Sequence, residues 1–400
     1  MAPRIRSVLV ANRGEIAIRV MRAARELDQR TVGIFSPEDR GARHRFVADE
    51  SYVVGAERTP VDAYFDMDAI VRVARRARVD AVHPGYGFLA ESADFAEACV
   101  RAGVVFVGPP PEAMRVLGNK IAARALARAA GVPILPGSGP LPRDAEEART
   151  IAKPIGYPLM LKASHGGGGR GVRIVAAPSE LAPLAEAARR EAALAFGDDE
   201  VYVEKLVRRA RHIEVQILGD LHGNLVHLFD RDCSVQRRHQ KVVARAPAPR
   251  LGEADRQRLC AAALALARAA GYTHAGSVEF LLDIETGAFY FIEANPRLQV
   301  EHTVTEQVTG IDIVKAQLRI ASGARIGDPS SGMPAQEAIT LSGHALQCRV
   351  TTEDPARGFA PAYGRLTAVQ TPAGFGIRVD DGTVLAGALV SPHYDSLLLS

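Results

Sequence analysis

Four hundred residues are too many for one ordinary hydrophobic core, so two or three domains are expected. Lys and Arg number 49 against 46 Asp and Glu, a net charge of +3, too balanced for a nucleic-acid partner or a membrane surface. Hydrophobic residues make up 47% with mean hydropathy near zero, and no apolar run is long enough to span a bilayer or to form a signal-peptide core.

The first third alternates strand and helix signals. Residues 7–11 read as a buried strand, 15–27 as an amphipathic helix and 31–36 as a second strand. A helix over 67–78, a strand at 80–83, a helix over 92–102 and an apolar run at 104–108 follow. This alternation predicts a parallel, doubly wound sheet. The turn Asn12-Arg13-Gly14-Glu15 lacks the three-glycine dinucleotide fingerprint, which argues against a dehydrogenase. From about Gly118 the pattern changes. A helix over 120–130 ends at Gly131, and the Pro/Gly-rich segment 133–142 reads as a hinge. Strands are predicted at 158–163, 172–175, 201–206, 212–218 and 225–229, and a hairpin over 277–282 and 289–293. A third unit begins near Gly343. Four scattered cysteines (Cys99, Cys233, Cys260, Cys348) without metal-ligand spacing predict reduced thiols in a cytoplasmic protein.

Ser164-His165-Gly166-Gly167-Gly168-Gly169-Arg170-Gly171 is the clearest anion-binding candidate, because consecutive glycines let backbone N–H groups approach phosphate oxygens. No Gly-Lys-Ser/Thr follows, so the loop joins two strands as a flap would, or is a plain surface turn. Lys162 lies in the apolar run Leu159-Met160-Leu161, where a charge needs a partner such as a nucleotide phosphate; Lys120 opens a helix. Glu279 and Glu293 on the hairpin, with Asn295 two residues on, offer hard oxygen ligands for Mg²⁺. Whether Glu279 shares their face turns on the hairpin register; solvent-facing acids are the bland alternative. Arg297 offers a planar fork for a carboxylate-like anion, and Glu301 nearby a base, unless the two simply pair. The run from Arg231 to Lys241 mixes cations with Asp232, Gln236 and His239, a mixture suited to polyphosphate and ribose contacts.

Ala-Asn-Arg-Gly-Glu-Ile-Ala at 11–17, His-Pro-Gly-Tyr-Gly-Phe-Leu-Ala-Glu at 83–91, the glycine loop, Arg-Arg-His-Gln-Lys-Val-Val at 237–243 and Asn-Pro-Arg-Leu-Gln-Val-Glu-His at 295–302 resemble the biotin carboxylases of the ATP-grasp superfamily. Within that family the chain looks most like the N-terminal part of the pyruvate carboxylases. The resemblance implies an α/β and α+β fold in three parts: a Rossmann-like N-terminal domain (1–118), an ATP-grasp domain (119–335) with a mobile lid at about 133–204, and a C-terminal biotin carboxylase domain (336–400) that is incomplete. Carried over by motif, Lys120, Lys162, Gly168, Gly169, Glu204, Lys205, Val207, His212, Gln236 and His239 would contact ATP. Glu279, Glu293 and Asn295 would hold Mg²⁺ or Mn²⁺. Lys241, Arg297, Gln299, Val300 (through its backbone) and Glu301 would hold and activate bicarbonate. Arg349 would face the biotin ureido oxygen, with Tyr86 near biotin. Glu301 would deprotonate bicarbonate as it attacks the γ-phosphate, and the carboxyphosphate would break into CO₂ and phosphate.

The implied partners are a biotin carboxyl carrier domain and a carboxyltransferase domain or subunit, with a homo-oligomer expected. No Met-Lys-Met biotinylation motif occurs in the chain, which places the carrier elsewhere. Ala244 and Arg245 stand where the family has a glutamate and then an acidic or apolar residue, which adds positive charge near Lys241. Arg349 is expected to lie away from the phosphate motifs. The competing readings are the biotin carboxylase subunit of an acyl-CoA carboxylase, an ATP-grasp ligase with an amine acceptor, and a truncated, non-catalytic nucleotide-binding fragment.

Overall fold

A computed structural model describes residues 4–164, 172–238 and 240–400. The N-terminal apolar runs form a five-stranded parallel sheet of order β3-β2-β1-β4-β5: β1 Ser7–Val10, β2 Arg30–Phe35, β3 Glu50–Val53, β4 Ala81–His83 and β5 Val105–Phe106. Every residue of the central β1 is buried, as expected for a parallel strand covered on both faces. This is the parallel sheet that the alternating pattern predicts and the Rossmann-like unit that the resemblance implies. Helices begin where side chains cap them: Ser92 before Ala93–Arg101 and Asn119 before Lys120–Ala129 each accept a backbone N–H of the first turn.

Two antiparallel sheets follow. The smaller has order β7-β6-β8, with β6 Leu159–Ala163, β7 Arg173–Val175 and β8 Val201–Lys205. The segment read as a hinge runs beside it. Ser138 and Leu141 donate to the Val203 and Val201 carbonyls, and the Lys205 N–H donates to Pro136, each at 2.8 Å. The larger sheet has order β13-β12-β9-β10-β11-β14. Its strands are β9 Ala210–Gly219, β10 Leu225–Arg237, β11 Gln240–Ala246, β12 His274–Asp283, β13 Phe289–Asn295 and β14 Ala345–Cys348.

That sheet revises the reading of the basic run. β10 continues through it to Arg237, and β11, which the sequence did not suggest, returns beside it. Arg231 and Asp232 are buried rather than turned to a polyphosphate, and Asp232 takes Arg211 and Arg245 at 2.8 and 2.9 Å. Charges paired inside the sheet do not show the alternation that marks a half-buried strand. β14 docks on β11, pairing Val243 with Cys348 and Arg245 with Leu346, so the first strand after Gly343 is an edge of the large sheet.

Burial also sets an acid limit. Desolvation lowers His44 and His83 to about 4 and His274 to about 3. An unfolded histidine titrates near 6.5, so between about pH 6.5 and 4 the unfolded chain binds more protons than the folded one. Stability should therefore fall as pH drops through that window, by on the order of 1–3 kcal/mol for each histidine. A melting temperature that stays flat from pH 7 to 4.5 would show that these rings are not held neutral.

Candidate functional site

The register of the large sheet builds the site. Arg231 on β10 lies opposite Glu214 on β9, Glu214 opposite Glu279 on β12, and Glu279 opposite Glu293 on β13. Directly opposed residues share a face, so one arginine and three carboxylates stand in a line across four strands. The hairpin question is thereby answered: Glu279 and Glu293 face the same side. Gln216, Ser277 and Asn295 form the next line, and Asn295 Nδ2 donates to Glu279 Oε1 at 2.7 Å.

Like charges directly opposed are destabilising unless compensated. Lys241, on β11, supplies the compensation: its Nζ lies 2.5 Å from Glu214, 2.7 Å from Glu279 and 2.7 Å from Glu301. Burial opposes the charge on Lys241, yet Glu214, Glu279 and Glu301 together hold its pKa well above the ordinary lysine value. Burial likewise works against the Glu279 and Glu301 carboxylates. Lys241 with His212, and Lys241 with Arg349, nonetheless hold them well below the usual range. Lys241, Glu279 and Glu301 are thus ionised at neutral pH, and the cluster is nearly sealed, with Glu214, Glu279 and Glu301 all at most 3% exposed.

Most residues singled out from the sequence meet here. His212 Nε2 lies 2.6 Å from Glu279 Oε2, and Gln236 Nε2 lies 3.1 Å from His212 Nδ1. Gln299 Nε2 donates to Glu279 Oε1 at 3.2 Å. Arg297 hydrogen-bonds Glu91 and reaches Asn295 Oδ1 at 3.2 Å, so its ion-pair partner is Glu91 rather than Glu301. The Val300 carbonyl accepts from Gln347 Nε2 at 3.0 Å. Because β14 leads straight into Arg349, whose N–H donates to the Val242 carbonyl at 3.0 Å, the Arg349 guanidinium lands 2.7 Å from Glu301 Oε2. Arg349, although it comes from the third unit, thus meets the candidate base Glu301. Tyr86 donates to Glu15, whose buried carboxyl is raised to about 7 mainly by desolvation and is also acted on by Asp380, Arg349 and Arg378.

A second group lies toward the small sheet. Lys162 pairs with the buried Glu204, which also takes Arg124 Nη1 at 2.8 Å. The partner that Lys162 needs is thus a carboxylate of the neighbouring strand, and its side chain stands on the face of β6 opposite Leu159 and Leu161. Lys205 Nζ donates to the Gly156 carbonyl at 2.8 Å, and Val207 follows half-buried. Lys120 Nζ, 3.5 Å from Glu293 Oε2, links the two groups. Gly168, Gly169 and His239 lie outside the described residues.

Sequence reasoning missed Glu214, Gln216 and Arg231. The clue lay in Ile213-Glu214-Val215-Gln216-Ile217, a strand whose polar positions alternate with apolar ones. Alternation of that kind reads as solvent-facing, whereas here both faces are covered. The donors fit a hard divalent cation: Glu279 and Glu293 are opposed, Asn295 is adjacent, and ligand atoms of His212, Glu214 and Glu279 all lie within 4.8 Å of one another.

The chain is similar to known proteins along nearly its whole length. Residues 4–114 match the family model "Biotin carboxylase, N-terminal domain", 119–328 match "Carbamoyl-phosphate synthase L chain, ATP binding domain", and 347–400 match "Biotin carboxylase C-terminal domain". The biotin carboxylase domain of Hydrogenobacter thermophilus 2-oxoglutarate carboxylase, solved as a dimer with MgADP, ADP and bicarbonate, superposes with a TM-score of 0.94 at 45% identity. That match covers 99% of this chain and 85% of the other. The chain belongs to the biotin carboxylase family.

Among whole carboxylases, this biotin carboxylase is similar to the pyruvate carboxylase of Rhizobium etli, with TM-score 0.95 and 58% identity over 99% of this chain and 35% of that one. It is also 54% identical to pyruvate carboxylase 1 of Caenorhabditis elegans and 51% to the pyruvate carboxylase of Bacillus subtilis, over 98% and 99% of this chain. It spans about a third of the length of these curated relatives, 33% and 34%. The two residues that depart from the family pattern, Ala244 and Arg245, lie on β11, which also carries Lys241. Ala244 is 3% exposed and packs with Cys233, Ala246, Val304 and Val308, and Arg245 spends its charge on Asp232.

Proposed function

We propose that this chain carboxylates carrier-bound biotin with bicarbonate at the expense of ATP, the first half-reaction of a biotin-dependent carboxylase, and that this carboxylase acts on pyruvate. The observation that carries the reading is the bridge Lys241–Glu301–Arg349, which brings a base, a lysine and an arginine from three separate elements into one water-poor site. Beside it stand the opposed Glu279 and Glu293. Lys120, Lys162, Glu204, Lys205, Val207, His212, Gln236 and His239 would hold ATP, with Gly168 and Gly169 in a lid at about 133–204 that closes over the phosphates.

Glu279, Glu293 and Asn295 would hold Mg²⁺ or Mn²⁺, which supplies charge neutralisation of the transferring phosphoryl group. Lys241, Arg297, Gln299 and the Val300 backbone would hold bicarbonate while Glu301 removes its proton. The attack forms carboxyphosphate and releases ADP. Carboxyphosphate then yields CO₂ and phosphate, phosphate takes the ureido N–H proton, and the nitrogen attacks CO₂. Arg349 would stabilise the ureido oxygen as its negative charge develops.

Identity of 50% or more to pyruvate carboxylases of several organisms favours pyruvate over an acyl-CoA as final acceptor. A biotin carrier and a carboxyltransferase, on other domains or subunits, would complete the enzyme, working as a homo-oligomer. No helix among the described residues is long and apolar enough to cross a membrane, and the four cysteines are free, which suits a reducing, cytoplasmic setting.

ATP hydrolysis that requires bicarbonate and rises with free biotin is the expected result; hydrolysis indifferent to both would sink the assignment. The contact with Glu301 changes what Arg349→Ser should do. Bicarbonate-dependent ATP cleavage should drop roughly tenfold, because Glu301 loses the ion pair that holds its carboxylate in place, and carboxybiotin formation by about a hundredfold or more. Wild-type ATP cleavage in that variant would mean that the ion pair does not tune the base.

A further inference from the structure

Arg231 is fully buried and stands at one end of the carboxylate line, opposite Glu214. Its guanidinium bonds four side chains from three elements. Nε donates to Glu214 Oε1 at 2.6 Å, Nη1 to Gln216 Oε1 at 2.7 Å and Thr305 Oγ1 at 2.9 Å, and Nη2 to Gln299 Oε1 at 2.7 Å. A guanidinium has donors only, so each glutamine must turn its carbonyl oxygen toward it. The two amide groups are thereby oriented without any choice of their own. Gln216 sends its NH₂ to the Gly276 carbonyl at 2.8 Å, and Gln299 sends its NH₂ into the site, 3.2 Å from Glu279 Oε1. A flipped Gln299 would set N–H against N–H⁺ in a place without solvent. Thr305 ties the same guanidinium to the helix His302–Thr309, and the residue that caps this helix is Glu301.

We infer that Arg231 is a positioning residue for anion binding. Its guanidinium donates to side chains at Nε, Nη1 and Nη2 alike; it holds Glu214 at the end of the carboxylate line and locks the Gln299 amide with its N–H groups facing an oxyanion. Bicarbonate affinity should therefore depend on Arg231, while ATP affinity, set by Lys120, Lys162 and the small sheet, should not. This rests on the biotin carboxylase reading above. A bland alternative also exists, in which Arg231 only neutralises Glu214 and so matters for stability alone.

Steady-state kinetics of the 400-residue chain separate the two. Arg231→Lys keeps the charge but cannot span four acceptors in one plane. It should raise the bicarbonate KM by about tenfold or more and move the ATP KM by less than about threefold. In a Gln299→Ala background the same change should add little, since both substitutions then act through one amide. Thr305→Val, which removes one anchor with little change in volume, should raise the bicarbonate KM about two- to fivefold, and serves if Arg231→Lys does not fold. A normal bicarbonate KM in Arg231→Lys, or in Thr305→Val where only the latter folds, with at most a lower melting temperature, overturns the positioning role and leaves charge neutralisation. Full additivity with Gln299→Ala overturns it too. A wild-type chain with no bicarbonate-dependent turnover sinks the functional reading instead, and this inference with it.

Discussion

Lys241→Met should unfold more easily than the wild type by about 3–5 kcal/mol and lose bicarbonate-dependent ATP cleavage by about a thousandfold or more. The reason is that one Nζ serves three buried carboxylates, at 2.5, 2.7 and 2.7 Å. Without it Glu214, Glu279 and Glu301 face one another, and among the described residues Arg231, Arg349, His212 and the more distant Arg297 are left to offset them. The pH dependence should change sign as well as size. In the wild type, Glu279 and Glu301 titrate well below an unfolded carboxyl, so their contribution is present above about pH 4.5 and is lost as pH falls below it. In the variant, repulsion should raise these carboxyls, and stability should instead fall as pH rises toward neutrality. Adding Glu214→Gln to Lys241→Met should restore much of the stability and none of the activity. Chemical denaturation at pH 5 and pH 8 decides the matter. A variant equally stable at both would mean that Lys241 does not carry the electrostatic balance of the site.

Glu293→Gln should do the opposite: little to the fold and nearly everything to turnover. Glu293 has a third of its side chain exposed, and its partner is Lys120 at 3.5 Å, so losing its charge leaves no buried group stranded. Its melting temperature should stay within about 2 °C of wild type, since surface substitutions cost within about 0.5 kcal/mol. If Glu293 is a metal ligand, bicarbonate-dependent ATP cleavage should fall about 10²- to 10³-fold, partly recovered by raising Mg²⁺ or supplying Mn²⁺. The contrast with Glu279, which is 3% exposed and bound to Lys241, Asn295 and Gln299, is itself a test. Glu279→Gln should cost both stability and activity. Near-normal turnover of Glu293→Gln at ordinary Mg²⁺ would remove it from the metal site.

Much of this molecule was legible in one dimension. Apolar runs such as Ser7–Val10 and the amphipathic pattern of Gly14–Arg25 fell where strand and helix stand, because burial on two faces or one stripe writes itself into local spacing. The motif residues Lys241, Glu279, Arg297, Gln299 and Glu301 could be named because their types and order suffice to identify the family. Tertiary structure alone decided three things. It drew Arg231, Glu214, Glu279 and Glu293 into one line, it gave Lys162 a carboxylate for a partner, and it set Arg349 against Glu301. Each depends on pairing between strands that are distant in sequence, with bulges at Asp232/Val235 and Glu279/Phe280 shifting the register. A one-residue slip turns a side chain to the other face, and nothing in the local spacing of β9 or β11 records which slip the fold has taken. The sequence therefore named most of the candidate groups; the register added Glu214, Gln216 and Arg231 and decided which of them touch.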